Sequence, residues 1–98
     1  MFTLSLDSNV LQCFANFIAL YLGRAPELDE IKGYIEFKSK EKGIVESYNH
    51  KLITQDEFCH FLLTHIYTNF VYYEKDVRKV GDDVIEEIRR KIKALLFG

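Results

Sequence analysis

The stretch from Leu22 to Glu27, Leu-Gly-Arg-Ala-Pro-Glu, divides the first part of the chain into two helices. Gly23 can adopt the left-handed conformation that closes a helix, and Pro26 is suited to the first turn of the next one. Stop and start signals of this kind recur further along the chain. They predict an all-α protein, a compact bundle of about four helices with one irregular segment at residues 43–53.

Length and composition limit the classes of protein that this chain can belong to. A chain of 98 residues suits one core, and we expect a single helical domain over residues 1–98. The net charge of −2 argues against a nucleic-acid binder of the usual strongly basic kind. The first residues show neither a basic leader nor a cleavage site, and the apolar run at 10–22 is too short to cross a bilayer. We therefore expect a cytoplasmic protein.

The first predicted helix begins after a cap at Asp7 or Ser8 and ends at Leu22. Apolar residues recur at steps of three and four along one face. They are Val10, Phe14, Phe17, Ile18 and Tyr21. The rest of the circumference is also largely apolar, so this helix lies at the centre of the bundle or presents a second face to a partner.

The second predicted helix runs from about Pro26 to Lys42, with acidic residues at its start and lysines at its end, as the helix dipole favours. Its predicted buried stripe is Leu28, Ile31, Tyr34, Ile35 and Phe37. Gly33 costs about 1 kcal/mol relative to alanine inside a helix, so we expect a close helix crossing there.

Arg24 lies between the end of the first helix and the acidic start of the second. A guanidinium in this position can cap the last carbonyls of the first helix and pair with a carboxylate. We expect it to pair with Glu27 or Asp29.

The third predicted helix begins at the capping box Thr54-Gln55-Asp56-Glu57 and ends somewhere between Tyr73 and Val80. Whether it breaks well before Gly81 is left open. The residues predicted to be buried are Phe58, Phe61, Leu62, Ile66, Phe70 and Tyr73.

The fourth predicted helix follows Gly81, and its apolar residues form a narrow stripe similar to a coiled-coil seam. The stripe consists of Ile85, Ile88, Ile92 and Leu95. Two readings stay open: the helix packs against its own bundle, or the stripe forms a homodimer contact. Glu86 and Arg90 have the spacing of a stabilising ion pair.

The segment Tyr21-Leu22-Gly23-Arg24-Ala25-Pro26-Glu27 has the pattern Leu-Gly-Arg-x-Pro-Asp/Glu after an aromatic residue. An amphipathic helix follows at 28–34, and residues 54–63 stand where a third helix would lie. Over about residues 10–65 the chain resembles a bacterial helical family of unknown function. Members of that family are modules of large surface and calcium-binding repeat proteins and are loosely similar to phycobilisome linker domains. The resemblance implies a helical scaffold or interaction module, with no catalytic residues to carry over.

Catalytic, cofactor and metal motifs are not evident in the sequence. Cys13 and Cys59 lie in apolar helical patterns and are expected to be reduced and buried. Asp56 and His60 share a helix face, but a zinc enzyme needs three convergent ligands, and His50 would have to supply the third from the uncertain segment. We therefore expect no enzyme activity, no cofactor and no metal site.

The chain contains six tyrosines and eight phenylalanines, more than a core of this size needs. Exposed tyrosines are typical of binding surfaces, and the basic run 89–93 is a second candidate contact region. The predicted partner-binding residues are Tyr48, Tyr67, Tyr72, Tyr73, Arg89 and Arg90. They favour a protein-binding module, such as a small inhibitor, immunity-type or adaptor protein of bacterial or phage origin. The alternative is a nucleic-acid-associated regulator that uses the basic last helix.

Overall fold

The first helix, α1, spans Ser8–Leu22 in a computed structural model that describes all 98 residues. The Asp7 carboxylate accepts a hydrogen bond from the Val10 amide at 3.0 Å, so Asp7 is the N-cap. Gly23 ends the helix with a φ of 73°, and its N–H donates to the carbonyl of Ala19. Both predicted ends of α1 are confirmed.

Helices α2 (Leu28–Lys42) and α3 (Ile44–Asn49) are separated by one residue, Gly43. Its φ of 60° lets the chain change direction in a single step and enter a new helix at once. The prediction of an irregular segment at 43–53 is therefore wrong for its first half. The bundle has five helices, one of them short.

The fourth helix, α4 (Gln55–Phe70), begins with the predicted capping box. The Thr54 hydroxyl accepts from the Glu57 amide at 3.1 Å, and the Glu57 carboxylate accepts from the Thr54 amide at 2.9 Å. The helix ends earlier than expected, because after Phe70 the chain turns and stays irregular as far as α5. Tyr73 is consequently exposed, and the prediction that it lies on a buried helix face is wrong.

The fifth helix, α5 (Asp82–Phe97), packs against α1 and α4. Helix α1 contacts α2, α4 and α5, so its apolar circumference lies at the centre of the molecule. This is the first of the two arrangements that the sequence predicted for this helix. Its predicted face is entirely buried. The largest fully buried side chains are Phe14, Phe58, Ile18, Ile31, Ile35, Leu62, Ile66 and Ile92. No helix is both long enough and apolar enough to cross a membrane.

Residues 1–7 form an irregular segment that lies across the bundle before α1. Phe2, Leu4 and Leu6 pack against the core, and the residues between them are exposed. The Phe2 ring lies 4.6 Å from that of Phe97 and 5.4 Å from that of Phe58, so the segment helps to bury the start of α4 and the end of α5.

More of the surface of α2 is exposed to solvent than the sequence pattern predicted. Its fully buried positions, Ile31, Ile35 and Ser39, follow one another at steps of four. Phe37 points away from this line and is 60% exposed, so its predicted burial is wrong. A Cβ built on Gly33 meets nothing within 4 Å, so the close helix crossing expected there does not exist.

Candidate protein-binding surface

Two tyrosines on the turn after α4 have the most exposed phenylalanine or tyrosine side chains in the molecule. Tyr72 is 63% exposed and Tyr73 is 82% exposed. Their ring centroids lie 4.9 Å apart with the ring planes at 84°, an edge-to-face pair. Leu22, Arg24 and Glu74 line a pocket together with Tyr73. These three residues and the two tyrosines are called the tyrosine surface below.

The turn that carries the tyrosine surface is fixed to the core on its inner side. Val71 is completely buried, and the Tyr72 amide donates to the Tyr67 carbonyl at 2.9 Å. The Glu74 amide donates to the Val71 carbonyl at 3.0 Å, which closes the turn. Tyr72 and Tyr73 therefore project from backbone that is already ordered.

A second anchor lies further along the segment between α4 and α5. The Arg78 amide donates to the carbonyl of Tyr21, the last buried residue of α1, at 2.8 Å. The Arg78 guanidinium occupies the space that a Cβ on Gly23 would need. Gly23 is thus required twice, for its positive φ and for this close approach.

Arg24 pairs with Glu74 at 3.2 Å, and the predicted pairing with Glu27 or Asp29 is wrong. The cause is the turn after α4, which brings the Glu74 carboxylate to the end of α1. Both side chains are largely exposed, and an exposed ion pair contributes at most about 1 kcal/mol. The pair therefore orients the turn more than it stabilises the fold.

Tyr67 is half-buried and belongs largely to the core. Its ring packs edge-on against Tyr21 at 5.1 Å. Burial raises the pKa of Tyr21 above its ordinary value, and the nearby Tyr67 and Asp82 add to this effect. Its carbonyl accepts the hydrogen bond from the Tyr72 amide, so Tyr67 is joined to the turn of the tyrosine surface through its backbone.

Tyr48 lies in a different part of the molecule. It packs on Phe2 and Phe97, and its hydroxyl accepts a hydrogen bond from Gln55 at 3.1 Å. Gln55 begins α4 and Tyr72 follows its end, so about 20 Å of helix separates the two tyrosines. The structure does not bring Tyr48 together with Tyr72 and Tyr73.

The basic side chains of α5 are engaged in ion pairs with acidic neighbours. Arg89 pairs with Glu86, and Arg90 lies 3.7 Å from the same carboxylate, as the predicted four-residue spacing required. Lys93 pairs with Asp56 of α4 at 3.1 Å. Part of the positive charge of the run 89–93 is therefore already neutralised within the chain.

The apolar stripe of α5 faces its own bundle over most of its length. Ile92 is completely buried, and Ile85 and Ile88 pack against the core. Leu95 is 45% exposed. A homodimer through these four residues stays a prediction, and Leu95 is the most exposed of them.

The titratable residues of α4 are dispersed. Asp56 pairs with Lys93, and the ring of His60 lies 3.4 Å from the hydroxyl of Thr64. The ring of His65 packs on that of Phe61. Burial lowers the pKa of His65, and the nearby Lys38 and Lys42 of α2 lower it further. No group of three or more His, Cys, Asp or Glu side chains is placed to hold a metal ion.

Both cysteines are free, and they differ in burial. Cys59 is completely buried, as expected, whereas Cys13 is only half-buried. Burial raises the pKa of the Cys59 thiol to about 11, with the carboxylate of Asp56 as a smaller cause. A thiol of this kind is protonated at neutral pH and is a poor nucleophile.

Comparisons with protein-family models, with curated proteins and with solved structures found no match to this chain. The resemblance of residues 10–65 to a bacterial helical family therefore stays a prediction. The functional reading depends on the geometry of the surface alone.

Proposed function

We propose that this protein is a non-enzymatic protein-binding module that docks its partner on the tyrosine surface. The observation that carries the proposal is the exposed pair of Tyr72 and Tyr73 on a turn whose backbone is anchored in the core. A small inhibitor, an immunity-type protein and an adaptor of bacterial or phage origin all fit this role.

A contact surface that is ordered before binding loses less conformational entropy when a partner docks on it. Tyrosine offers a large amphipathic area with only two rotatable side-chain bonds, and it is enriched among the residues that dominate binding energy. Buried Val71 and the hydrogen bonds around it already fix the backbone of the turn. Binding therefore loses little conformational entropy, and more of the contact energy appears as affinity.

The nucleic-acid alternative is less well supported, because Arg89, Arg90 and Lys93 each lie beside an acidic side chain of the chain itself. It predicts binding that weakens steeply with salt. A gel-shift measurement with short DNA and RNA at about 50 mM salt distinguishes it from the protein-binding proposal.

The first experiment is capture of a partner from a lysate of the source organism with tagged protein, followed by mass spectrometry. The affinity of that purified partner is then measured for the wild type and for the double variant Tyr72→Ala/Tyr73→Ala. We expect a loss of about thirtyfold or more, as for residues at the centre of an interface. The melting temperature should change little, since both side chains are exposed.

Phe37→Ala is the matched control, because Phe37 is an aromatic residue of similar exposure on α2. It should leave the affinity unchanged. Full affinity in the double variant would refute the proposal, as would an equal loss in the control. Recovery of the bait alone, with a dimer seen by light scattering, would favour self-association.

A further inference from the structure

A cleft between α1, α4 and the start of α5 is separate from the tyrosine surface. It has a volume of about 470 Å³, within the range of pockets that hold small ligands. Its apolar lining comes from Phe17 of α1, Leu63 of α4 and Ile85 of α5. Neither Tyr72 nor Tyr73 lines it.

The hydroxyl of Tyr21 is the first sign that the cleft receives a ligand. Tyr21 lines the cleft and is only 9% exposed, yet its hydroxyl has no hydrogen-bond partner in the chain. The hydroxyl of Ser39 is the one side-chain polar atom that is fully enclosed without a partner, so that of Tyr21 keeps some accessible surface. Polar groups in the interior of folded proteins are nearly always satisfied, and a ligand in the cleft would satisfy this one.

Tyr67 presents a second hydroxyl of the same kind. Its ring centroid lies 5.1 Å from that of Tyr21, and Tyr67 also lines the cleft. The hydroxyl of Tyr67 makes no hydrogen bond within the chain either. Two hydroxyl groups at one cleft are therefore available to a ligand.

The unpaired charge in the cleft is negative. Of its three charged side chains, Glu86 and Arg89 pair with each other, and Arg90 lies 3.7 Å from the same carboxylate. The third, Asp82, takes part in no ion pair. Its carboxylate is close enough to Tyr21 to help raise the pKa of that hydroxyl. The cleft thus holds one free carboxylate beside its two free hydroxyls, and all three groups can accept a hydrogen bond.

We propose that this cleft binds a small organic cation, a primary alkylammonium. Its three N–H donors suit the carboxylate of Asp82 and the hydroxyls of Tyr21 and Tyr67, while its alkyl chain lies against the apolar lining. An anion is disfavoured, since the arginine of the cleft is already paired with a carboxylate. A quaternary ammonium has no N–H group and would leave both hydroxyls without a donor.

The probe for the first test is n-pentylammonium, titrated against the full chain by two-dimensional NMR at neutral pH. Its uncharged counterpart is 1-pentanol, which has the same alkyl chain, so a difference in affinity isolates the ammonium group. We expect saturable binding of the amine, with shifts centred on the residues of the cleft. The alcohol should bind at least about tenfold more weakly, because hydrogen bonds to charged groups are the stronger ones.

The second test changes the charge of the cleft. Asp82→Asn keeps the size of the side chain and removes its charge, so we expect the affinity for n-pentylammonium to fall about tenfold. Asp83→Asn is the matched control, because it makes the same change of charge on the next residue of α5, which does not line the cleft. It should leave the affinity unchanged.

The third test separates binding from folding. Tyr21→Phe removes only the hydroxyl and should weaken n-pentylammonium binding about fivefold. The melting temperature should stay unchanged or rise, since that hydroxyl has no partner in the chain. A tyrosine that only supports the fold would not separate the two quantities in this way.

Several outcomes would overturn this proposal. They are the absence of saturable binding, equal affinities for the amine and the alcohol, equal losses in Asp82→Asn and Asp83→Asn, and an affinity unaffected by both Asp82→Asn and Tyr21→Phe. Shifts centred on Tyr72 and Tyr73 would assign the amine to the tyrosine surface and would also refute it. Since none of these measurements uses the protein partner, failure here is distinguishable from failure of the proposed function.

Discussion

At the scale of single residues, Gly33 is the clearest site at which another residue would make the fold more stable. It lies inside α2 with open space around it. Gly33→Ala should raise the free energy of unfolding by about 1 kcal/mol, because it lowers the backbone entropy of the unfolded chain without a clash. Urea denaturation monitored by circular dichroism measures this change.

Gly43→Ala is the control for that prediction, since Gly43 also has open space around it but has a φ of 60°. An alanine there should destabilise the protein by about 1 kcal/mol, because its Cβ comes too close to the backbone in the left-handed conformation. If both substitutions moved stability in the same direction, backbone conformation would not be the cause.

Cys59 should resist thiol reagents in the folded protein. Its pKa of about 11 leaves almost no thiolate at pH 8, and the side chain is completely buried. With Ellman's reagent at pH 8 we expect reaction of Cys59 only after denaturant is added. Rapid labelling of Cys59 in folded protein, located by peptide mapping, would contradict its burial.

The raised pKa of Cys59 also predicts how the stability of the protein changes with pH in the alkaline range. The folded state holds this proton more tightly than the unfolded state, whose thiol has a pKa near 9. Stability is therefore unaffected by this group below about pH 9 and falls by up to about 1.4 kcal/mol per pH unit between 9 and 11.

At the scale of elements, the start of α4 depends on its cap. Thr54→Ala removes one half of the capping box and should cost about 1 kcal/mol. Thr68→Ala is the matched control, because the hydroxyl of Thr68 bonds only to a carbonyl one turn back and is exposed. It should change stability by less than about 0.5 kcal/mol. Equal effects in urea denaturation would mean that the cap contributes nothing.

Helix ends were predictable from the sequence where a local interaction sets them. Asp7, Gly23 and the Thr54–Glu57 box act within four residues of themselves, and all three were predicted. The end of α4 was not predictable in this way, because the apolar pattern continues through Val71 to Tyr73. After α4 the chain is held by the hydrogen bond from the Arg78 amide to the Tyr21 carbonyl. These two residues are too far apart in the sequence for a local pattern to predict the contact.

At the scale of the whole molecule, the candidate site was only partly predictable. The sequence alone showed an excess of tyrosines, but which of them lie close together depends on how the helices pack. Tyr48 packs with Phe97 at the start of α4, whereas Tyr72 lies beyond its end. The cleft lined by residues 4–7 and by Lys32, Glu36 and Lys40 of α2 gave no signal in the sequence, because it depends on where the segment 1–7 crosses α2.

The contact between Phe2 and Phe97 tests whether this crossing belongs to the cooperative fold. The rings stack at 4.6 Å although 95 positions separate them along the chain, so the contact forms only when the segment 1–7 packs against the end of α5. A double-mutant cycle with Phe2→Ala and Phe97→Ala should give a coupling energy of about 0.5–1.5 kcal/mol in urea denaturation. The control cycle of Phe2→Ala with Tyr72→Ala should be additive, since those residues share no partner. A coupling of zero in the first cycle would mean that the segment 1–7 does not unfold together with the bundle.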